Sequence, residues 1–207
     1  MNNSAYDIEL LSIDGSYDIM KSMKGKFTLV TNIASKLGYE PQCSVTFSYA
    51  RTCKYLYELQ YIHQKYQDHG FSVVGVPCNQ FGKQEPRENN EIEQFIKDAY
   101  PFVTFPISQK IEVNGKNEHP LYTFLKGPER RGYSDTTADG SDAAREGQNL
   151  VGQAIARIPH SYEKFLLSPQ GLFITRFNWQ DGPLDKEPRV MGAGWTIMEA
   201  IEEVLGL

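Results

Sequence analysis

The chain has few cysteines, no long apolar run and no large excess of charge of one sign, and each absence closes a class of function. Of 207 residues only three are cysteine, Cys43, Cys53 and Cys78. Their number is odd and their spacing matches no metal motif, so neither a disulfide framework nor a zinc site is expected. No window is apolar enough to be a transmembrane helix. The opening residues, MNNSAYDIEL, carry neither a basic start nor an apolar stretch of secretory type, and the expected location is the cytoplasm. With 21 Lys and Arg against 26 Asp and Glu, interspersed along the chain, the formal charge is -5. That leaves no basic footprint for a phosphate backbone or an anionic lipid surface, so nucleic acid and membrane are not expected partners.

What is present is the composition of an ordinary soluble domain, 40% hydrophobic and 23% charged. The length suits a single domain over residues 1–207. The runs Phe27–Ala34 (FTLVTNIA) and Phe71–Val76 (FSVVGV) are short, β-branched and bounded by Gly or Pro, as strands buried on both faces are. Between them Leu56, Leu59, Ile62 and Tyr66 recur at helical spacing, so a helix ends near Gly70. This βαβ unit implies parallel strands with a right-handed crossover. Ligands in such sheets bind at the carboxyl ends of the strands, here Ser35–Gly38 and Pro77–Phe81.

A second helix is expected over Asn90–Ala99, with Ile92, Phe95, Ile96 and Ala99 as its stripe. A short third helix opens at His119–Pro120 and turns Leu121, Phe124 and Leu125 inward before Gly127. From Gly127 the chain turns to Gly, Asp, Ser, Arg and Thr without apolar period, which marks a long surface loop over about residues 127–157. Tyr162–Leu167 and Leu172–Phe177 flank Ser168-Pro169-Gln170-Gly171 and read as an antiparallel hairpin. Trp195, Met198, Ile201, Val204 and Leu205 then form the stripe of a last helix. Together these elements make an α/β architecture of thioredoxin-like fold, a central mixed β-sheet flanked by helices.

The segments NIASKLG (Asn32–Gly38), GFSVVGVPCNQFGKQEP (Gly70–Pro86), FPISQKIEVNGKNEHPLYTFLKG (Phe105–Gly127) and YEKFLLSPQG (Tyr162–Gly171) resemble the glutathione peroxidases, in the right order and over most of the chain. The resemblance implies reduction of hydrogen peroxide or organic hydroperoxides. In that chemistry a cysteine or selenocysteine thiolate becomes a sulfenic or selenenic acid and is restored by a thiol. Peroxide and a small thiol reductant are thus the implied partners, glutathione or another thiol serving as co-substrate with no resident cofactor. The long loop resembles in length that of larger, oligomeric family members, which makes a homo-oligomer an expectation.

In the family the nucleophile is surrounded by a glutamine, a tryptophan and an asparagine, all able to donate hydrogen bonds to a thiolate or to a peroxide oxygen. Those positions correspond to Leu37 for the nucleophile, Gln84, His160 for the tryptophan and Ser161 for the asparagine. Only Gln84 is retained. The stretch Ile92–Ile96, where disulfide-recycled members keep a resolving cysteine, has none. A leucine cannot attack a peroxide, so an active site needs another thiol. Between Gln42 and Leu56 the chain carries about a dozen residues beyond the usual family pattern, an insertion at about 43–55 that holds two cysteines.

Cys43 is the first candidate nucleophile, since helix-terminal N–H groups and Arg51 would lower its pKa. Cys53 is a weaker candidate, as a resolving cysteine, and its spacing to Leu56 equally suits the helix's inner stripe. Cys78 falls where the family often has a cysteine without catalytic duty. His160 and Ser161 are candidate donors; equally, they suit a strand entrance and a turn. Two functions stay open: a peroxidase with a non-standard site, and a catalytically inactive pseudo-peroxidase that binds or senses. An engineered or accidental replacement of a cysteine by Leu37 would not by itself explain the altered tryptophan and asparagine positions, so divergence of the whole site is the simpler account.

Overall fold

The computed structural model describes residues 4–35, 51–127, 157–187 and 195–207, with residues 51–53 described by their backbone alone. Strand β1 (Phe27–Ile33) and strand β2 (Phe71–Pro77) pair in parallel, in the register Phe27 to Phe71 through Ile33 to Pro77. Strand β3 (Lys164–Leu167) lies antiparallel on the other side of β1, and β4 (Phe173–Phe177) lies antiparallel to β3. The sheet order is therefore β2-β1-β3-β4, the mixed sheet expected from the sequence.

The hairpin is shorter at its start than the apolar run. Tyr162 has φ 70, outside the strand region, so the ladder begins only at Lys164. The hairpin turn needs Gly171. Its φ is 75, and a Cβ there would come within 2.3 Å of Ser4 Oγ.

Five helices are described. After a 3₁₀ turn at Ala5–Asp7 comes α1 (Ile19–Ser22), which the sequence reading left without an assignment. Helix α2 (Arg51–Tyr66) continues as a 3₁₀ turn to Gly70, whose left-handed conformation ends it where glycine was expected to. Helix α3 (Asn89–Ala99) opens with a capping box between Glu88 and Glu91. Helix α4 (Pro120–Leu125) is capped by His119, whose ring accepts a hydrogen bond from Leu121 N; it buries Leu121, Tyr122 and Leu125 fully and Phe124 only in part. Helix α5 (Ile197–Leu205) starts from a Thr196–Glu199 capping box and ends at Gly206. Its buried stripe is Ile197, Ala200 and Ile201. Trp195 precedes the cap and is 53% exposed, which corrects its assignment to the apolar face.

Alternation along the buried strands sends successive side chains to opposite faces. Leu29, Ile33, Val73 and Leu166 join α2, α3 and α5 in one core. Val30, Val74, Val76, Phe165 and Leu167 join the N-terminal segment, α1 and α4 in the other. Both faces of the strands are covered, as their unbroken apolar runs imply.

Candidate active site

Parallel pairing puts the carboxyl ends of β1 and β2 side by side, and two turns are fastened over them. The first is Asn79–Glu85. Gln80 Oε1 accepts from Val113 N and Asn114 N, each at 2.9 Å, and Gln80 Nε2 donates to Asn114 O at 2.7 Å. Gly82 and Lys83 have φ of 58 and 52, so the chain reverses tightly and Gln84 N returns to Phe81 O at 3.2 Å. Glu85 then locks the turn to β1: its carboxylate accepts from Ser35 N and Ser35 Oγ, both at 2.7 Å, while Arg87 Nη1 donates to the same hydroxyl at 3.0 Å. Glu85 is buried, and burial pushes its pKa up against the pull of these donors.

The second turn runs through residues 157–163 and hangs on two asparagines. Asn114 Nδ2 donates to Ile158 O and Asn114 Oδ1 accepts from Ile158 N, both at 2.9 Å. Asn32, in β1, holds the turn through both ends of its side-chain amide and its backbone carbonyl. Its Nδ2 donates to His160 O at 3.0 Å, its Oδ1 accepts from Glu163 N at 3.1 Å and its carbonyl accepts from Tyr162 N at 2.6 Å. Tyr162 adds a bond from its hydroxyl to Ala34 O at 3.1 Å and stacks on Tyr55 at 4.5 Å between ring centroids.

A third segment, the loop after β4, closes against the second. Glu163 accepts from Arg176 Nε at 2.7 Å and from Trp179 N at 2.9 Å, and burial pushes this carboxyl's pKa up as well. Tyr55 OH donates to Trp179 O at 3.1 Å. Beneath, the fully buried Lys164 donates through Nζ to Asn178 O at 3.2 Å and to Asp181 O. Desolvation brings the Lys164 pKa down to about 8. The indole of Trp179 thereby lies on the His160 ring, with centroids 4.5 Å apart and planes inclined by 24°. Phe81, from the first turn, is nearly parallel to His160 at 6.2 Å.

Of the residues singled out in the sequence, Gln84, His160 and Ser161 are thus on two adjacent turns joined by the Phe81–His160 contact. Gln84 Oε1 and Ser161 Oγ are buried and have no hydrogen-bond partner among the described residues. Orphaned buried polar atoms cost about 1–3 kcal/mol each, a cost that a polar ligand reaching them would remove. His160 is half-buried, with Nδ1 3.3 Å from Ser161 O. Cys78 is fully buried, its thiol donates to Gln80 Oε1 at 3.7 Å, and burial pushes its pKa up, so it packs as a small apolar residue.

Leu37 and Cys43 lie outside the described residues, as do most of the 43–55 insertion and the loop over 128–156. Cys53 falls in the first turn of α2, with no side chain described. The sequence reading missed Trp179, Asn32 and the Ser35–Glu85 lock. Trp179 had one signal, an aromatic residue set alone in the polar run Asn178-Trp179-Gln180-Asp181-Gly182. Among the described residues no group of three His, Cys, Asp or Glu side chains is placed to hold a metal ion, and no helix is long and apolar enough to cross a membrane.

The family model Glutathione peroxidase matches residues 5–126. Glutathione peroxidase-like peroxiredoxin gpx1 of Schizosaccharomyces pombe is 36% identical, over 84% of this chain and 87% of its own length. Glutathione peroxidase-like peroxiredoxin 2 of Saccharomyces cerevisiae is 35% identical, over 90% and 96%. Hydroperoxy fatty acid reductase gpx1 of Synechocystis is 35% identical, over 85% and 87%. Among solved structures, Trgpx in its apo form superposes with a TM-score of 0.60 at 26% identity, covering 100% of this chain and 98% of its own. GPX1 of T. cruzi gives 0.53 at 26% identity, with 98% and 94% covered. The thioredoxin-like α/β fold expected from the sequence is the fold observed.

Proposed function

The chain belongs to the glutathione peroxidase family, and from that premise we propose that it is a thiol-dependent peroxidase that reduces hydrogen peroxide or organic hydroperoxides through a non-standard site. Cys43 is the attacking thiol in this reading. Gln84, His160 and Ser161 are its polar surroundings, Leu37 fills the usual nucleophile position, and Cys53 is the candidate resolving residue. Glutathione or another small thiol is the co-substrate, no resident cofactor is needed, the site of action is the cytoplasm, and the working unit is a homo-oligomer.

The reading rests on one observation above others. Two turns at the carboxyl ends of β1 and β2, joined by the Phe81–His160 contact, hold Gln84 and Ser161 with buried polar atoms that have no partner among the described residues. A site dismantled for good would be expected to fill such positions with apolar groups, because unpaired buried polar atoms destabilise a fold. The relatives, which include peroxiredoxins and a hydroperoxy fatty acid reductase, favour hydroperoxide as the substrate class.

The experiment is consumption of hydrogen peroxide and of an organic hydroperoxide with glutathione or thioredoxin as reductant, for the wild type and for Cys43→Ser. Turnover that falls at least about 100-fold in Cys43→Ser is expected. No turnover by the wild type, or equal turnover by the variant, sinks the proposal. The inactive, sensing alternative is favoured by the replacement of three of the four family site residues. It gains if Cys43 resists thiol probes and sulfenic-acid traps in the folded protein.

A further inference from the structure

Lys164 is a cation enclosed without an ion pair among the described residues. It is fully buried, and its neighbours across the ladder are Thr31 and Phe177, which carry no charge. From α2 comes the ring of Tyr55, 5.3 Å from Nζ. The carboxylates that reach it through their fields are engaged elsewhere. Glu58 pairs with Lys54 at 3.5 Å, Glu163 pairs with Arg176 at 2.7 Å, and Asp181 and Asp185 accept from Asn178 N and Gly182 N at 3.1 and 2.7 Å.

The ammonium donates to two main-chain carbonyls, Asn178 O at 3.2 Å and Asp181 O. Both belong to one loop, residues 178–185, in which Asp181, Gly182 and Pro183 are buried. Several hydrogen bonds close within this loop. Asn178 N donates to Asp181, Gln180 N to Asn178, and Gly182 N to Asp185, so the segment can move as one piece. Trp179 rides on it, with its indole on the His160 ring at 4.5 Å.

A buried ammonium with no ion pair is costly, and a movement that returns it to water removes the cost. A neutral amine has no such cost to shed. Protonation therefore favours an open loop, and loss of the proton a closed one.

We propose that residues 178–185 form a latch over β3 that opens while it encloses a charged Lys164 and shuts as that lysine gives up its proton, carrying Trp179 off and onto the His160 ring. Burial outweighs the pull of Glu163, Asp181, Glu58 and Asp185 and brings the Lys164 pKa from 10.5 down to about 8. With 10.5 for the lysine in water, the opening constant falls about 10-fold between pH 7 and pH 9. Burial moves the carboxyls of Glu58 and Glu163 upward, and variants of Lys164 separate their titration from that of the lysine.

The test is amide hydrogen exchange of the full chain at pH 7 and pH 9, corrected for intrinsic rates, in a series of urea concentrations below the unfolding transition. The amides of Asn178, Trp179, Asp181 and Gly182 are expected to exchange through a local opening that does not respond to urea, and faster than the amides of β1 and β2. That opening should be about 10-fold rarer at pH 9. Global unfolding shares the dependence on the Lys164 proton but responds to urea, so the two processes are told apart. In Lys164→Met, which has no proton to lose, and in Lys164→Arg, whose charge is fixed, the opening constant should be equal at the two pH values.

Loop amides that exchange only together with those of β1 and β2 overturn the latch, as does a local opening in the wild type that is equal at pH 7 and pH 9. A pH dependence that survives in either Lys164 variant assigns the proton to a carboxyl and overturns it too. Should Lys164→Met fail to fold, Lys164→Arg and the wild-type comparison still decide. The measurement needs no substrate, so the latch stands or falls independently of the peroxidase reading.

Discussion

At the scale of single residues, Lys164 is the side chain whose surroundings most oppose its ordinary state. It is fully buried in β3, with two backbone carbonyls as hydrogen-bond partners and the ring of Tyr55 5.3 Å from its Nζ. Burial brings its pKa from 10.5 down to about 8, so between these values the unfolded chain binds more protons than the folded one. Stability therefore rises with pH across that window, by up to about 3 kcal/mol. Denaturant titrations at pH 7.5 and 9.5 should show the gain in the wild type and not in Lys164→Met. Above pH 10 the buried tyrosines act the other way, because burial raises the pKa of Tyr6 and Tyr122 and holds their phenols neutral in the fold. Gly171 is the second such residue. Gly171→Ala must adopt φ near 75 and push Ser4 and Tyr6 aside, and a loss of about 2–4 kcal/mol is expected in thermal or denaturant unfolding. The turns that carry Gln84, His160 and Ser161 could be recognised in the sequence because their neighbours repeat a family pattern. Trp179 could not, since its partner lies on another segment and no periodicity links them.

At the scale of elements, the site is made by side chains that tie turns to strand ends. Glu85→Gln keeps the shape but replaces one carboxylate oxygen by a donor, leaving Ser35 N or Oγ facing an N–H. The variant should lose about 1–3 kcal/mol and expose the Ser35 amide to faster hydrogen exchange, with the amides of β2 unchanged. Protection of Ser35 equal to wild type would show that the Glu85 carboxylate does not hold this amide. Helix positions were readable because capping residues and apolar periods mark them locally: Glu88 and Glu91 start α3, His119 and Pro120 start α4, and Gly70 ends the α2 segment. The misassignment at Trp195 has a physical source. Its spacing to Met198 suits a helix face, but Thr196 caps the helix one residue later and leaves the indole outside it. Helix α1 has only four residues, too few to show a period.

At the scale of the whole molecule, one sheet serves two cores, and adjacent residues of the same strand belong to different ones. Loss of either core leaves the strands bare on one side, so the two should not unfold separately. Leu29→Ala and Leu167→Ala, one on each face and both fully buried, should each cost about 2–5 kcal/mol. Both should retain a single transition seen alike by circular dichroism and by fluorescence. The parallel pairing of β1 and β2 was readable because the helix between them is local. The place of β3 beside β1 was not, because no nearby residue encodes it. That placement has a temporal side. Asn32 meets His160 and Glu163 across 128 and 131 residues, a loop closure that comes after the local βαβ unit has every reason to form. A chain emerging from a ribosome completes β1, α2 and β2 long before the partners of Asn32 have been made. Through that interval the first strand and the turn bearing Gln84 stand without the turn that Asn32 holds, so the candidate site is assembled only after residue 163 has been made.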